Sequence, residues 1–442
     1  MGTTPRAADF CFVHAADLHL DTPFKGLSAT APHVGAALRE ASLDAFDRLV
    51  QLCLDRDAAF LVVAGDVYDG AERGLRAQLR FRDGLARLSE ASIPSFVAHG
   101  NHDPVKDGWA AISDWPPLVH VFSHEHVETF AVERAGEKIA SVHGISYGHS
   151  EVTENLALRF SREDSPVFQV GVLHCNVAGA ADGYAAYSPC TLSDLCNVGL
   201  DYFALGHIHS RLVLSGQPLG REPFVVYPGN LQARSPKPSE LGPKGASVVH
   251  VTGGVVEAVE AVACDQVRFS LLELEIDGVE DLTGLCDALV SRAVDQLSQA
   301  EGRSIVVRAW LSGRGSVHRD LARPGALDEL VATLRGEFPA HDPFCWWDRV
   351  VDDSAPEIDL AELATGGDLS ADLLTTAEEM KALVASGPRP ALPLDAMQEF
   401  ASQLPRSLQR RAAELVDEGA VDARELVDKA VLSALDRLGV GT

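Results

Sequence analysis

The stretch Leu61-Val62-Val63-Ala64-Gly65-Asp66-Val67-Tyr68-Asp69 decides the fold predicted for this chain. It begins as an apolar, strand-like run that stops at Gly65, so that Asp66 follows directly after the strand. Open α/β sheets build their active sites from side chains at the carboxyl ends of such buried strands. An ordinary turn that contains aspartate would give the same residues. The interpretation therefore depends on how the other strand-like runs of the chain end.

Four other strand-like runs also end in residue types that bind metal ions. In chain order, these endings are Asp17-Leu18-His19, Gly100-Asn101-His102-Asp103, His174 and Gly206-His207-Ile208-His209. One ending of this kind arises easily by chance, whereas five in order, each behind an apolar run, form a specific pattern. We therefore expect these side chains to meet at the edge of a sheet and to form a metal site.

The residue types at the five strand ends favour a centre with two ions. One carboxylate must then bridge the ions, and Asp66 suits this role because it follows the central strand. Carboxylate, imidazole and amide ligands without thiolate suit Mn²⁺, with Fe or Zn²⁺ as alternatives, rather than Ca²⁺. Two ions about 3.5–4 Å apart activate a water molecule as hydroxide and hold the oxygens of a phosphoester. Phosphoester hydrolysis is thus the expected chemistry.

The composition is that of a folded chain rather than a disordered or membrane-spanning one. Of 442 residues, 46% are hydrophobic and 23% are charged, which is ordinary for a globular protein of two or three domains. Neither a long apolar span nor an apolar leader is present, so we expect a cytoplasmic protein without membrane contact. The net charge of −27 argues against a general basic surface for nucleic acid.

The order of the predicted elements divides the chain into three parts. We predict a catalytic domain over residues 1–264, a small α+β module over 265–355, and a helical tail over 356–442 with a linker at 386–393. The catalytic domain begins with alternating strands and helices, which is typical of a parallel sheet covered by helices. In the helix predicted over residues 74–91, four leucines are expected to face the sheet: Leu75, Leu79, Leu85 and Leu88.

The five strand ends resemble the motifs of the calcineurin-like metallophosphoesterase superfamily. The stretches HAADLHLDTPFKGL, GNHDP, ALGHIH and YPGN are similar to one branch of it, the SbcD-type and YhaO-like DNA repair exonucleases. The resemblance implies an α/β fold, a two-sheet sandwich flanked by helices. The module over 265–355 would cap this sandwich, and the C-terminal tail would be helical. The motifs are more specific for fold and metal chemistry than for the substrate.

The same resemblance implies a role for each residue of the site. One ion would be held by Asp17, His19, Asp66 and His209, and the other by Asp66, Asn101, His174 and His207. His102 matches the histidine that protonates the leaving oxygen, and Asp69 matches the carboxylate that orients it. A catalytic imidazole does need a partner that sets its tautomer. Some nucleases of this branch carry a histidine at the position of Asp69, which leaves its part in a nuclease open.

The leading hypothesis for function is a Mn²⁺-dependent DNA exonuclease or endonuclease subunit in DNA repair. Its expected partners are DNA, a second copy of the chain in a homodimer, and an SbcC-type coiled-coil ATPase. One alternative is a phosphatase or small-molecule phosphodiesterase of the same fold, which the acidic composition favours. Another is a non-catalytic DNA-end-binding subunit. DNA would need a local strip of cations, for which the candidates are Arg211, Arg234, Lys237 and Lys244.

The C-terminal segment Asp422–Leu438 reads as a helix with an apolar stripe. The residues of this stripe are Ala423, Leu426, Val427, Ala430, Val431, Ala434, Leu435 and Leu438. An apolar stripe needs a surface to cover it. The stripe would either pack back on its own domain or dock on the ATPase partner. The sequence leaves both options open.

Overall fold

The computed structural model describes most of the chain. The described residues are 9–22, 32–70, 74–107, 111–112, 114–181, 183–220, 222–338, 343–358, 360–366, 368–386, 427–428, 430–432, 434–435 and 438. The chain divides into two compact units. The first comprises Met1–Leu272, Ser291–Arg308 and Leu334–Arg349, and the second comprises Glu273–Val290, Ala309–Thr333 and Val350–Thr442. Apart from Ser386, the predicted linker lies outside the described residues. The three-part division of the chain stays a prediction.

The elements follow one another along the chain with these bounds. The strands are β1 (Phe10–Ala15), β2 (Leu61–Ala64), β3 (Ser95–Ala98), β4 (Val119–Val121), β5 (Glu128–Arg134), β6 (Glu137–Gly144), β7 (Phe168–His174), β8 (Tyr202–Gly206), β9 (Leu212–Ser215), β10 (Phe224–Tyr227), β11 (Gly245–Thr252), β12 (Val255–Ala263), β13 (Val267–Glu275), β14 (Ser304–Ser312) and β15 (Cys345–Asp352). The helices are α1 (Pro32–Asp55), α2 (Leu75–Glu90), α3 (Leu192–Val198), α4 (Leu282–Gln299), α5 (His318–Leu321), α6 (Ala326–Gly336), α7 (Leu360–Ala364) and α8 (Leu369–Ser386). Short 3₁₀ turns span Leu156–Arg159 and Pro238–Glu240.

Two mixed sheets carry the five strand ends. The first has the order β12-β11-β1-β2-β3-β4, and the second has the order β5-β6-β7-β8-β10-β9. Strands β1, β2 and β3 run parallel to one another, as do β7 and β8. Parallel neighbours end at the same edge of a sheet. The first sheet thus brings three of the predicted endings to one edge, and the second sheet brings the other two together.

An aromatic layer fills the space between the two sheets. Phe12 of the first sheet stacks on Phe60 with ring centroids 4.6 Å apart, and it meets Tyr202 of the second sheet edge-on at 5.2 Å. Edge-to-face and offset aromatic pairs add to the stabilisation that burial alone provides. Helices α1 and α2 cover the outer face of the first sheet through a second apolar cluster. The predicted α/β sandwich of two sheets flanked by helices is confirmed.

The inward face of α2 differs from the prediction. Leu75 is 51% exposed, whereas Ala77, Phe81, Leu85 and Leu88 are buried. These four residues recur at intervals of four, four and three, which places them on one face of the helix. Leu75 comes two residues before Ala77 and therefore points away from that face. The prediction that it faces the sheet was wrong.

The second unit contains α7, α8 and the described part of the C-terminal segment. Val427, Val431 and Leu435 form a buried cluster with Ala377 of α8, and Leu373 and other partly buried residues pack against it. Lys381 of α8 pairs with Asp428. For Val427, Val431 and Leu435, the predicted stripe thus packs back on its own unit, whereas Ala430 and Leu438 of the same stripe are exposed. The remaining three of the described strands, which contain residues of both units, form a third sheet in the order β13-β14-β15.

The helices of the described ranges include none that combines the length and the apolar character needed to cross a membrane.

Candidate metal centre

Donor atoms from both sheets converge at the edge where the five strands end. Three overlapping groups have their donor atoms within 4.8 Å of one another: Asp17, His19 and His209; Asp17, Asp66 and His174; and His19, Asp69 and His102. The structure therefore brings seven of the nine predicted site residues into one connected cluster. Asn101 adjoins this cluster through its contact with His174.

The backbone turns sharply directly after these strands. Four predicted site residues have a positive φ: Asp17 at 51°, His19 at 42°, Asp66 at 51° and His207 at 103°. For residues other than glycine, such angles cost of order 1–3 kcal/mol each, and they persist where the surrounding structure holds them, often at functional sites. The turns point these side chains across the edge of the sheet rather than along the strands.

The two sheets approach each other closely at this edge, and a glycine permits it. A Cβ atom on Gly206, at the end of β8, would overlap the carbonyl oxygen of Ala64 at the end of β2. The same carbonyl accepts a hydrogen bond from His174 Nδ1 at 3.0 Å. The glycine of the GHIH motif thus allows the ligand-bearing ends of the two sheets to meet.

Asp66, the predicted bridging ligand, approaches histidines of both predicted ligand sets. Its Oδ2 lies 3.8 Å from His19 Nε2 and 3.6 Å from His174 Nε2, so one oxygen stands between the two predicted ligand sets. Its Oδ1 accepts a hydrogen bond from the backbone N–H of His102 at 2.9 Å. Burial raises the pKa of Asp66 to about 6, and burial together with the Asp66 carboxylate raises that of Asp17 well above its ordinary value. Two buried carboxylates side by side favour the binding of cations.

The rings of His19 and His209 approach each other through their Nε2 atoms. His209 Nδ1 lies 2.8 Å from a carboxylate oxygen of Glu240, and His19 Nδ1 lies 3.4 Å from one of Asp69. A carboxylate accepts hydrogen bonds only, so His209 Nδ1 donates to Glu240 and the Nε2 atom of the neutral His209 ring carries a lone pair. The two Nε2 atoms are 3.2 Å apart, and His19 is 1% exposed. Burial lowers the pKa of His19 well below its ordinary value, so the ring stays neutral and able to bind a metal ion.

His174 and His207 are held by backbone carbonyls. His174 Nδ1 donates to Ala64, which leaves its Nε2 facing the Asn101 side-chain oxygen at 2.9 Å. His207 Nε2 lies 2.9 Å from the carbonyl oxygen of Ala185. Burial lowers the pKa of both imidazoles to about 4, which keeps them in the neutral form that binds metal ions. Within the described residues, His207 joins none of the three converging groups, and its ring centroid lies 5.3 Å from that of His174.

One oxygen of Asp69 meets three nitrogen atoms. Oδ1 lies 3.3 Å from His102 Nδ1 and 3.4 Å from His19 Nδ1, and it accepts a hydrogen bond from Arg234 at 2.5 Å. Burial alone would raise the pKa of Asp69, but its hydrogen bonds with His102 and His19 and the charge of Arg234 hold it well below its ordinary value. The hydrogen bond with Asp69 in turn raises the pKa of His102. A partly exposed imidazole with a raised pKa beside the cluster is able to hold a proton and to donate it.

Two important carboxylates were missed by the sequence analysis. Asp103 accepts hydrogen bonds from the backbone N–H groups of Val67 and Gly100 at 2.9 and 2.8 Å, and thereby ties together the loops after β2 and β3. Its place in the GNHD motif was the signal that could have revealed it. Glu240, the partner of His209, lies in a 3₁₀ turn with no comparable local signal.

The predicted strip of cations is only partly present at the site. Arg234 and Lys237 line a cleft of about 560 Å³ beside Asp66, together with Tyr184 and Tyr187. Lys244 is buried, and its Nζ donates to the carbonyl oxygens of His209 and Ser239, so its prediction as a phosphate contact was wrong. Arg211 donates to the carbonyl oxygen of Val259. Two of the four predicted cations therefore face the cleft.

The residues present fit a centre for divalent ions. Carboxylate and imidazole donors converge in a buried pocket, and the Asn101 amide lies beside them. Burial and the Asp66 carboxylate raise the proton affinity of Asp17, and the Nε2 atoms of His19 and His209 lie 3.2 Å apart. A divalent cation held by these donors would offset the charge of the buried Asp17 and Asp66 carboxylates. Hard and borderline ions are the ones that such donors prefer.

Comparison with known proteins agrees with this chemistry. A model of the calcineurin-like phosphoesterase family matches residues 11–211, and a model of the middle domain of the metallophosphoesterase YhaO matches residues 269–355. The chain is 35% identical over 355 residues to the uncharacterized metallophosphoesterase YhaO of Bacillus subtilis, which covers 80% of this chain and 84% of that protein.

More distant similarity extends to the DNA double-strand break repair protein Mre11. The identity is 25% over 228 residues with the Thermoplasma acidophilum protein, covering 48% of this chain and 57% of that one. It is 27% over 297 residues with the Haloferax volcanii protein, covering 66% and 60%. With its two-sheet sandwich and its converging metal ligands, the chain belongs to the YhaO-like family of calcineurin-like metallophosphoesterases and is a metal-dependent phosphoesterase.

Proposed function

We propose that this protein is a nuclease subunit that hydrolyses DNA phosphodiester bonds in DNA repair, in the cytoplasm, with two Mn²⁺ ions. The observation that carries the proposal is the position of Asp66 Oδ2 between His19 and His174, with His102 on the same cluster. The similarity to proteins named for DNA double-strand break repair supports DNA as the substrate.

The proposed ligand sets share Asp66. One ion would be held by Asp17, His19, Asp66 and His209, and the other by Asp66, Asn101, His174 and His207. When bound, the two ions supply an activated water as nucleophile and neutralise the charge on the phosphate oxygens. Neutral imidazoles and a carboxylate with raised proton affinity favour cation binding at these positions.

His102 and Asp69 would handle the proton of the leaving group. The leaving oxygen of a phosphodiester is a poor leaving group unless it is protonated, and a histidine beside it can supply the proton. His102 Nδ1 faces Asp69, so its Nε2 is the atom that would donate. Arg234 holds the same Asp69 oxygen and keeps the carboxylate ionised and in place.

The lining of the cleft supports a nucleic acid substrate. The rings of Tyr184 and Tyr187 lie with their centroids 5.5 and 5.6 Å from that of His207, and aromatic faces at such a position can stack a nucleobase. Lys237 is exposed at the cleft and can approach a phosphate of the strand. Since the net charge is −27, backbone contacts of this local kind would have to provide the affinity.

The second candidate is a phosphatase or small-molecule phosphodiesterase of the same fold. The observation that favours it is the acidity of the chain, which repels a long polyanion. A non-catalytic DNA-end-binding subunit is disfavoured, because seven of the nine predicted site residues, among them the His102–Asp69 pair, converge in one cluster.

A comparison of substrates tests the proposal. Purified full-length protein with Mn²⁺ would be offered linear double-stranded DNA, single-stranded DNA, a chromogenic phosphodiester and a chromogenic phosphomonoester. We expect DNA and the diester to be hydrolysed faster than the monoester, and Asp66→Asn and a metal chelator to abolish both activities. Fast monoester hydrolysis with intact DNA would favour the phosphatase instead.

We also propose an SbcC-type coiled-coil ATPase as partner and a homodimer as assembly, on the strength of the family resemblance. Val427, Val431 and Leu435 are covered by α8, so a docking contact falls to other residues of the C-terminal segment. Pull-down of the ATPase by the full chain, but not by a chain that ends at Ser386, would support the partner. Light scattering tests the homodimer, and a monomeric mass at micromolar concentration would contradict it.

A further inference from the structure

We infer that Glu240 is a positioning residue, which holds His209 in the tautomer whose Nε2 lone pair faces the metal centre and thereby sets the affinity for one of the two ions. This inference rests on the ligand role proposed for His209. Glu240 itself touches neither substrate nor ion in the proposed ligand sets. It acts through the imidazole that it holds.

The contacts of Glu240 leave one oxygen for His209. The side chain lies in the 3₁₀ turn Pro238–Glu240 and is 4% exposed. Its Oε2 accepts hydrogen bonds from Asn230 Nδ2 at 2.7 Å and from the backbone N–H of Arg234 at 3.0 Å. Its Oε1 lies 2.8 Å from His209 Nδ1. The side-chain NH₂ of Asn230 and the backbone N–H of Arg234 both donate to Oε2. These two hydrogen bonds orient the Glu240 carboxylate independently of His209 and leave Oε1 as the acceptor for His209.

A buried lysine holds both ends of this contact in place. Lys244 Nζ donates to the carbonyl oxygen of His209 at 2.9 Å and to that of Ser239, the residue before Glu240, at 2.5 Å. The ammonium group therefore fixes the distance between the strand end and the 3₁₀ turn. Its positive charge also offsets the buried carboxylate, which would otherwise be costly in a site of low dielectric constant.

The effect of Glu240 should be specific to one ion. His174 and His207, which belong to the other proposed ligand set, contact backbone carbonyls through their second nitrogen atoms. Glu240 reaches His209 alone among the proposed imidazole ligands of the described chain. Partners that orient a ligating histidine are typically worth 10–100-fold in metal affinity. Loss of Glu240 should therefore weaken the binding of the ion that Asp17 and His209 would share, and leave the affinity for the other ion unchanged.

The substitution Glu240→Gln tests this with almost no change of shape. Glutamine has one acceptor oxygen, which Asn230 and Arg234 both require, so its NH₂ group must face His209. His209 would then accept at Nδ1 and carry its proton on Nε2, toward the metal site. We expect about 10–100-fold weaker binding of one Mn²⁺ and unchanged binding of the other. Equilibrium dialysis against Mn²⁺ with metal counting by mass spectrometry measures both affinities.

A second measurement reads the tautomer directly. Nitrogen-15 NMR of histidine-labelled, metal-free protein should show one imidazole with its protonated nitrogen exchanged in Glu240→Gln. A purely structural role would not produce this change. The matched control is Glu163→Gln, a carboxylate that contacts Ser141 and Lys138 away from the site, for which both affinities and all tautomers should match the parent protein.

The variant His209→Gln separates the inference from the ligand assignment. If His209→Gln binds both ions as the parent does, the ligand role proposed for His209 is wrong. If it loses one ion while Glu240→Gln keeps both affinities and the parent tautomer, only the role of Glu240 is wrong. Should Glu240→Gln fail to fold, Glu240→Asp replaces it, because the shorter carboxylate no longer reaches His209 in its present position. Weaker binding of one ion is then expected, and two unchanged affinities would overturn the inference.

Discussion

At the scale of single residues, one oxygen of Asp69 lies close to three nitrogen atoms of the site. Its Oδ1 accepts a hydrogen bond from Arg234, and the Nδ1 atoms of His102 and His19 lie close to the same oxygen. The same carboxylate thus orients the proposed proton donor and one proposed metal ligand. This arrangement explains why the pKa of Asp69 is held low while that of His102 is raised. Substitutions at this site should therefore fall into two kinds: those that slow hydrolysis and those that reduce the bound metal.

We predict that His102→Asn keeps both ions and slows hydrolysis. Loss of a general acid typically costs about 10²–10⁴-fold in rate. Metal content and the kcat for a chromogenic phosphodiester, measured on the same preparation, check the prediction. Asp69→Asn should give a milder loss in the same direction, because His102 remains but is less well oriented. If His102→Asn released metal, His102 would be a ligand rather than an acid.

Asp66→Asn, unlike His102→Asn, should reduce the amount of bound metal. A neutral amide is a poor bridge between two cations, so we expect a reduced metal content and no measurable hydrolysis. The substitution also removes a buried carboxylate from beside Asp17, so the metal-free protein should unfold at the same temperature as the parent or at a higher one. Metal analysis and thermal unfolding after chelation measure the two effects. An active mutant with full occupancy of both ions would rule out the bridging role.

At the scale of elements, the site depends on how closely the end of β8 approaches the end of β2. Ala64 O accepts from His174 of β7 and lies where a Cβ on Gly206 would have to be. Strand β8 thus meets β2 through backbone atoms, which cannot move aside as a flexible side chain can, while β7 meets the same carbonyl through the His174 side chain. The position of the metal ligands follows from this contact.

Gly206→Ala should therefore disturb the site through the backbone. Overpacking of a well-packed region costs about 1–3 kcal/mol, and here the displaced strand end also carries His207. We expect a lower free energy of unfolding in urea and a reduced Mn²⁺ content. The control is Gly336→Ala at the end of α6, where an added Cβ has no neighbour within 4 Å and a small change is expected. Equal effects of the two substitutions would contradict the role of the close approach.

At the scale of the whole molecule, the proposed metal ligands and the buried residues of the C-terminal apolar stripe belong to different units. The nine predicted site residues lie within Met1–Leu272, whereas Val431 and its neighbours on α8 lie within Val350–Thr442. Damage to the stripe should thus affect the stability of the second unit without removing the ligands from the first. This gives a way to separate the two units by experiment.

We predict that Val431→Asp destabilises the second unit and leaves phosphodiesterase activity within about twofold of the parent. A carboxylate forced into an apolar cluster without a partner lowers the free energy of unfolding by about 3 kcal/mol or more. Hydrogen exchange in α8 and limited proteolysis measure the loss of protection. Ala430→Asp adds the same charge at an exposed neighbouring position and should change neither. Unchanged protection of α8 in Val431→Asp would show that the stripe contributes little.

The sequence by itself determined the five strand ends and the chemistry that they carry. An apolar run followed by Asp, His or Asn is a local pattern, and parallel strands bring such endings to one edge whatever lies between them. Metal-dependent phosphoester hydrolysis could thus be predicted without coordinates, and membership of the family confirms it.

Only the tertiary structure decided which groups surround the ligands. Arg234 meets Asp69 across 165 positions of sequence, and Glu240 meets His209 across 31. Neither pair has a periodic or motif signal, because each contact forms only after the strand ends and the turn near Pro238 have come together. The burial of Lys244, which composition would place at the surface, has the same origin: its charge is satisfied by carbonyl groups that converge only in the folded chain.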